Sequence, residues 1–326
     1  MTARPKNDME SGIVAIQVND EDVGIRADVF MCEKLDVTRS AAQKLLEDGM
    51  VRVGGKTVQK NYKLRSGDEV EVSFPEEKTL DVEPENIPLD VVYEDEDIIV
   101  VNKPAGMVVH PAPGHESGTL VSALMFHCGE SLSSINGVIR PGIVHRIDRD
   151  TTGLIAAAKN NAAHLSLSEQ LKDHTMHRDY SAILIGRLPE ERGTVDKPIA
   201  RHPTDRKKMA AAKTGAAGAR DAVTHYCTVS YADGFTLADL SLETGRTHQI
   251  RVHMASIGHP VLGDPVYGGD RTLFQKHHPS LFTGQMLHAK RLTLVHPSGK
   301  EIMTFTAPEP ENFARCAKLL GLDCAE

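Results

Sequence analysis

The hydrophobic and polar positions fall into two stretches with different patterns. Over residues 24–74 the apolar positions are local and closely spaced. Val29, Phe30 and Leu35 predict one short helix. Thr38 or Arg39 opens a second, with Ala42, Leu45 and Leu46 on one face and Gly49 placed to end it. Met50–Val53 and Lys56–Val58 flank Gly54-Gly55, the pattern of two short strands around a tight turn. Arg65-Ser66-Gly67-Asp68 predicts another turn before a strand over Glu69–Phe74, and Ile13–Val18 fits a further short strand. From Val91 onward the runs lengthen. Asp97–Val101 and Leu154–Ala158 predict buried strands, and strand-like patterns recur at 179–187, 221–231 and 235–242. Thr247–Ile257 predicts a helix with Ile250, Met254 and Ile257 on its buried face and Gly258 as its stop.

Between the two stretches lie Pro75, Pro84 and Pro88 among six acids, which predicts an extended, self-repelling linker. The expected organisation is therefore a polar leader at 1–23, a compact unit at 24–75, a linker at 76–90 and a large domain at 91–326. A length of 326 residues agrees with two domains.

Composition narrows the class. The five cysteines are scattered, odd in number and lack a C-x-x-C pair. That excludes a disulfide framework and a thiolate zinc site, and fits the cytoplasm. The first ten residues have no apolar core of a signal peptide, and no apolar run approaches the roughly 18 residues of a membrane span, so no membrane partner is expected. A net charge of −8 argues against a nucleic-acid partner until its distribution is considered. Residues 76–100 hold ten acids and one base, whereas 101–326 hold 25 bases, 22 acids and all 16 histidines. The large domain is mildly basic, so a phosphate backbone stays open as a partner.

Candidate chemistry concentrates at Gly142–Leu154. His145, Arg146, Asp148, Arg149 and Asp150 form a polar loop between the apolar segments Ile143-Val144 and Leu154–Ala158. This is either a self-neutralising charged turn or a catalytic loop on a rigid scaffold. Arg251 lies beside the buried face of the helix at 247–257, where its guanidinium could reach a cleft. Arg201–Arg220 carries Arg201, Arg206, Lys207, Lys208, Lys213 and Arg220 against Asp205 alone, and reads as a flexible basic loop able to grip an RNA backbone. His248 with His253, and His174 with His177, lack the carboxylate or thiolate of known short zinc motifs, so no metal is expected.

Long ordered blocks carry a resemblance. VNKPAGMVVHPAPGH (101–115), RPGIVHRIDRDTTGLIAAAK (140–159), GTVDKPIARHPTDRKKMA (193–210) and LETGRTHQIRVHMASIGHPVLGDPVYGG (242–269) resemble RluA/RluD-type pseudouridine synthases, with Ile147 for the usual Leu. GIRADVFMCEK and TRSAAQKLLEDGMVRVGGKTVQKNYKLRSGDEV resemble an S4 RNA-binding domain, with Ala27 where Leu is usual. The resemblance implies an α+β fold: a catalytic domain with a large, mainly antiparallel sheet and a cleft along it, preceded by a small S4 (α-L type) domain. It implies isomerisation of uridines in structured RNA, most closely that of the RluD-type enzymes of large-subunit (23S-type) ribosomal RNA, by a monomer and without cofactor.

The same resemblance assigns roles. Asp148 matches the catalytic aspartate, as nucleophile at the sugar or base at C2′, and either role needs a charged, held carboxylate. Arg251 matches the arginine that pairs with it. Tyr180 matches the tyrosine that stacks on uracil and assists loss of the C5 proton, a task for which its ordinary pKa of about 10 would need tuning. Ser181 departs from the commoner Leu. Arg146 matches a residue that helps turn the nucleotide out of its helix. His145 is expected to order the loop, and Arg246 to contact phosphate or substrate. In the S4-like unit Arg39, Lys44, Arg52 and Lys56 are the expected RNA contacts, with Arg206, Lys207 and Lys208 in the basic loop. One rival reading is a non-catalytic RNA-binding or ribosome-associated protein, which would not need Asp148, Tyr180 and Arg251 together. Another is a glycoside or nucleoside hydrolase using Asp148 and Asp150, but neighbours in one loop are poorly placed to flank a sugar.

Overall fold

The computed structural model describes residues 13–35, 39–73, 82–111, 114–129, 132–133, 141–205 and 208–322. The chain divides into two compact units, Met1–Thr79 and Leu80–Glu326.

The first unit contains strand β1 (Ile13–Gln17), helices α1 (Ala27–Leu35) and α2 (Arg39–Glu47), and strands β2 (Val51–Val53), β3 (Lys56–Thr57) and β4 (Glu69–Ser73). Its sheet runs β1-β4-β2-β3, with every pairing antiparallel. Gly54 and Gly55 both take positive φ, 57° and 76°, as a two-residue hairpin turn requires. Alternation then sends Val51 and Val53 inward and leaves Arg52 exposed. Phe30, Met31, Ala42, Leu46, Val51, Val70 and Val72 form the core. Asp28 is buried within it and fastens α1 to α2, accepting from Arg26 Nε and Nη2 and from Gln43 Nε2, each at 2.9 Å.

The second unit holds β5 (Val91–Glu94), β6 (Ile98–Lys103), α3 (Leu120–Cys128), β7 (Thr152–Ala158), α4 (Asn161–Lys172), β8 (His177–Ile185) and β9 (Arg192–Asp196). It continues with β10 (Ile199–Arg201), β11 (Met209–Ala211), β12 (Val223–Ala232), β13 (Phe235–Leu242), α5 (Gln249–Ser256), α6 (Leu273–His277), β14 (Leu287–Val295), β15 (Ile302–Thr306) and α7 (Glu311–Leu319). Nine strands make one sheet in the order β5-β6-β7-β14-β8-β13-β12-β9, with β15 also on β14. The expected α+β architecture with a mainly antiparallel sheet is borne out. The exception is β7–β14, which pair in parallel over His288–Thr152 and Ala289–Gly153. There the strands approach so closely that a Cβ at Gly153, whose φ is +108°, would lie 2.3 Å from Ala289 O.

Both faces of the sheet are covered, which explains the long apolar runs. Along β6, Ile98 and Val100 pack with α4 while Ile99 and Val101 pack with α3. Along β8, Tyr180, Ala182 and Leu184 face Ile250 and Met254 of α5, and Ile183 faces Phe313 and Cys316 of α7. The acidic stretch after residue 81 lies against this unit: Val82 is buried with Ile99 and Leu124, and Glu85 N–H donates to Ser122 O at 3.0 Å. Apolar residues between the acids anchor it where charge alone predicts extension.

Candidate active site

The loop ahead of β7 alternates. Ile143, His145 and Ile147 turn inward, Arg146 turns out, and Asp148 is left half-buried at the mouth of a cleft. Its backbone is held from below. Lys103 is buried, and its Nζ donates to the carbonyls of Pro104, Met107 and Arg149 at 2.7, 2.9 and 2.9 Å. Burial pushes the Lys103 amine down to about 7, against the pull of Asp150 and Asp148. Thr151 N–H donates to Asp148 O at 3.1 Å, and Gln285 Nε2 donates to Thr151 Oγ1 at 2.9 Å.

The carboxylate meets a guanidinium from α5, 103 residues along the chain. Arg251 Nη1 donates to Asp148 Oδ2 at 2.8 Å, while its Nε and Nη2 make a fork onto Asp264 at 2.7 and 2.9 Å. Asp264 is fully buried and also accepts from the N–H groups of Val266 and Tyr267, at 2.8 and 3.2 Å. Burial alone would lower the Arg251 pKa. Asp264 and Asp148 outweigh it and raise the pKa, so the guanidinium stays charged. Arg251 also lies over the Tyr267 ring, 5.2 Å from its centroid. One carboxylate thus fixes the arginine, and the arginine fixes the other.

His248 opens α5 in the left-handed region, with φ 56°. Its Nε2 is 4.0 Å from Asp148 Oδ1 and its Nδ1 is 2.9 Å from Tyr267 Oη. That phenol oxygen accepts the Met209 N–H at 2.9 Å, which leaves its own proton for His248 Nδ1. Burial holds the His248 pKa below its usual value, opposed by Asp148.

Tyr180 lines the same cleft together with Arg146, Ile147, Asp148, Arg178, Leu242, Arg246, His248, Ile250, Arg251 and Leu287. The tyrosine ring and the four aliphatic side chains make apolar walls suited to a flat base. Burial raises the Tyr180 phenol above its ordinary value, while the Arg178 cation pulls the other way. Arg146 is exposed at the rim, 3.3 Å from His110 Nε2.

Asp148, Tyr180, Arg251, Arg146 and Arg246 therefore surround one space. His145 does not reach it. Its Nε2 accepts the Ala156 N–H at 3.0 Å, and burial drives its pKa down to about 3, so it braces β7 as a neutral ring. Lys208 is outside the cleft, 4.0 Å from Asp205. Part of the basic loop is ordered as the β10–β11 ribbon. Arg206 and Lys207 lie outside the described residues, as do the side chains of Arg39 and Lys44. Arg52 and Lys56 are exposed on the first unit. Neither histidine pair is arranged for metal: His253 bonds Thr224 Oγ1 and Lys197 O, each at 2.9 Å, and His174 Nδ1 bonds Glu243 O. Asp264, Arg178 and His248 were not anticipated. Arg178 stands two residues before Tyr180 on β8, so the two-residue period of a strand puts both on one face.

A buried guanidinium braced on one carboxylate thus aims another into an apolar-walled cleft, and comparisons with known proteins show the family to which such a chain belongs. The RNA pseudouridylate synthase family model matches residues 97–256, and the S4 domain model matches residues 25–70. "Uncharacterized RNA pseudouridine synthase YlyB" of Bacillus subtilis (strain 168) is 48% identical over 302 residues, 92% of this chain and 96% of that protein. "Ribosomal large subunit pseudouridine synthase D" of Zymomonas mobilis is 43% identical over 313 residues, 94% of this chain and 96% of that protein. The solved structure of human RNA Pseudouridylate Synthase Domain Containing 1 superimposes with a TM-score of 0.53 at 26% identity, covering 76% of this chain and 89% of its own. The chain belongs to the RNA pseudouridine synthase family. It is an RNA-modifying isomerase that carries an S4 RNA-binding domain.

Proposed function

We propose that this enzyme converts uridines of large-subunit ribosomal RNA to pseudouridine, with Asp148 as the group that acts on the ribose. The observation that carries the reading is the 2.8 Å bond from Arg251 Nη1 to Asp148 Oδ2 beside the ring of Tyr180. The N1–C1′ bond breaks with its electron pair on the uracil. The base turns within the cleft, C5 joins C1′, and the C5 proton is lost while N1 takes one up, so the product is an isomer of the substrate. Nothing is oxidised or reduced, so Asp148 as nucleophile at C1′ or base at C2′ suffices. Arg251 holds that carboxylate and aims it. Tyr180 would stack on the base while it is detached, and Arg146, exposed at the rim, would replace the extruded nucleotide. The proposed target follows the printed name of the Zymomonas relative. The S4-like unit at 24–75 and the ribbon with Lys208 would hold the RNA backbone, and the work would be done in the cytoplasm by a monomer.

The test is site mapping. Large-subunit ribosomal RNA transcribed without pseudouridine is incubated with the protein, and modified positions are read by sequencing. Pseudouridine at discrete large-subunit sites is expected. Modification confined to transfer RNA would overturn the target. Release of free uracil would point to a hydrolase, and no product on any RNA to a binding protein.

A further inference from the structure

Arg178 is only 7% exposed, yet among the described residues no group accepts a hydrogen bond from it. Its Nε is sealed from solvent without any partner. Every other buried charge of the cleft is answered, since Arg251 has Asp148 and Asp264. The one other cation that acts on Arg178 is Arg246, of its own sign. Burial lowers its pKa and Arg246 lowers it further, although the Tyr180 phenol opposes both. Arg246 in turn gives its Nε to the Asp221 carbonyl at 3.0 Å, and among the described residues it meets no carboxylate. A buried guanidinium and a half-buried one therefore line one wall of the cleft with no carboxylate bonded to either among the described residues, and a buried charge without a partner is an arrangement that proteins otherwise avoid.

The surroundings are shaped for this arginine. Gly245 passes directly over it, and a Cβ there would sit 2.5 Å from Arg178 Nη1. The turn carrying Gly245 and Arg246 is fixed by Gln249, whose Oε1 accepts from Arg246 N–H at 2.9 Å and Thr244 Oγ1 at 2.7 Å. Gln249 Nε2 is anchored on Val223 O at 2.9 Å. A rigid seat, a planar donor fork and a second cation describe a receptor for a full negative charge with several oxygens. A neutral uracil carbonyl would offset neither cation, whereas a phosphodiester would bring one full negative charge shared over two oxygens.

We infer that Arg178 and Arg246 form the seat for a backbone phosphate adjoining the target nucleotide, fixing its ribose against Asp148. The inference rests on the reading that the cleft takes a uridine of RNA, and adds which group of that substrate is gripped beside the base. Asp148 handles the sugar and Tyr180 the base, while the phosphate sets how far the nucleotide enters.

The experiment needs no turnover. Uridine, uridine 3′-phosphate and uridine 5′-phosphate are titrated into the full chain at constant ionic strength. One monophosphate is expected to bind at least about tenfold more tightly than uridine, and Arg178→Gln is expected to reduce that preference to about twofold or less. Gly245→Ala, which crowds Nη1 and leaves the charge in place, should reduce it as well. Arg178→Met should raise the melting temperature, because it removes a buried charge that has no partner in the free protein. For a stem-loop RNA, Arg178→Gln should lower the slope of log K against log salt by roughly 0.7–0.9, the share of one phosphate. Equal binding of uridine and both monophosphates, or a preference that survives Arg178→Gln, would overturn the assignment. So would a fall in melting temperature for Arg178→Met, which would make Arg178 a structural prop. A protein that modifies no RNA but keeps the Arg178-dependent preference would sink the proposed function and leave this seat standing.

Discussion

The two units handle polar side chains in opposite ways. In the first, the only buried polar residues among those described are Asp22 and Asp28, each paired within the unit, and Arg52 and Lys56 stand exposed. In the second, a lysine, two arginines, an aspartate and several histidines lie in the interior. The difference fits the tasks proposed for the two units. Gripping a phosphate backbone needs cations in water at the right spacing, which any stable small core can display. Holding a carboxylate against a ribose needs groups whose rotamers are locked, and a low-dielectric interior supplies the lock at a cost in desolvation.

The largest way to test that contrast is Asp148→Asn. The side chain keeps its shape and loses its charge, so kcat is expected to fall at least about 10³-fold while RNA affinity stays within roughly threefold. Rapid quench kinetics and filter binding read the two quantities separately. Measurable turnover in the variant would remove Asp148 from the chemistry.

Asp264→Asn is next. It leaves Arg251 with Asp148 as its one carboxylate and takes away the partner that sets the plane of the guanidinium. A loss of about 10²-fold in kcat and of roughly 3 kcal/mol in stability is expected, because half of a buried ion pair is left uncompensated. Urea unfolding and kinetics on the same preparation check both. Full activity would show that Asp148 alone suffices to orient Arg251.

A third test uses acid. All 16 histidines lie in the second unit. His145 is held down to about 3, and His164, His248, His253 and His288 are also lowered, each chiefly by burial. Such a group is neutral in the folded protein and takes up its proton on unfolding. Its contribution is therefore fully present above the unfolded value of about 6.5 and is lost as pH falls from there toward 3. Amide hydrogen exchange followed from pH 7 to 4 should show protection lost first in the second unit. Simultaneous loss in both units would erase the contrast.

The smallest effect is expected at the first unit's surface. Arg52→Ala and Lys56→Ala should each weaken RNA binding about three- to tenfold at low salt and lower the salt slope by roughly 0.7–0.9, with kcat unchanged. An altered kcat would mean that these cations do more than hold the backbone.

Much of this was legible in the sequence. The Gly54-Gly55 hairpin and the α5 stop at Gly258 follow from local rules, and the helix predicted over 247–257 differs from α5 (Gln249–Ser256) only at its ends. Asp148 and Arg251 were found because motif blocks carry them, and Tyr180 by its match to the family tyrosine outside those blocks. What stayed hidden depends on contacts that no local pattern encodes. Asp264 sits between Gly263 and Pro265 and gives no sign that it braces a helix residue 13 positions earlier. His145 looked like part of a charged loop, yet the two-residue alternation of Ile143, His145 and Ile147 could have assigned it inward. The stretch after residue 81 looked like free linker because its acids outnumber its anchors, although Val82, Leu89 and the Glu85 backbone lie against the second unit.

The parallel contact between β7 and β14 has its own bearing on the site. The two antiparallel halves of the large sheet are joined there by two residue pairs, and the segment carrying Asp148 emerges from that weld. Gly153 lets it close, and Thr152 Oγ1 bonds His288 Nδ1 across it at 2.8 Å. A methyl group at 153 would wedge the halves apart five residues before the end of the apolar run and five residues after Asp148, so the join of the sheet and the placement of that carboxylate share a point of failure.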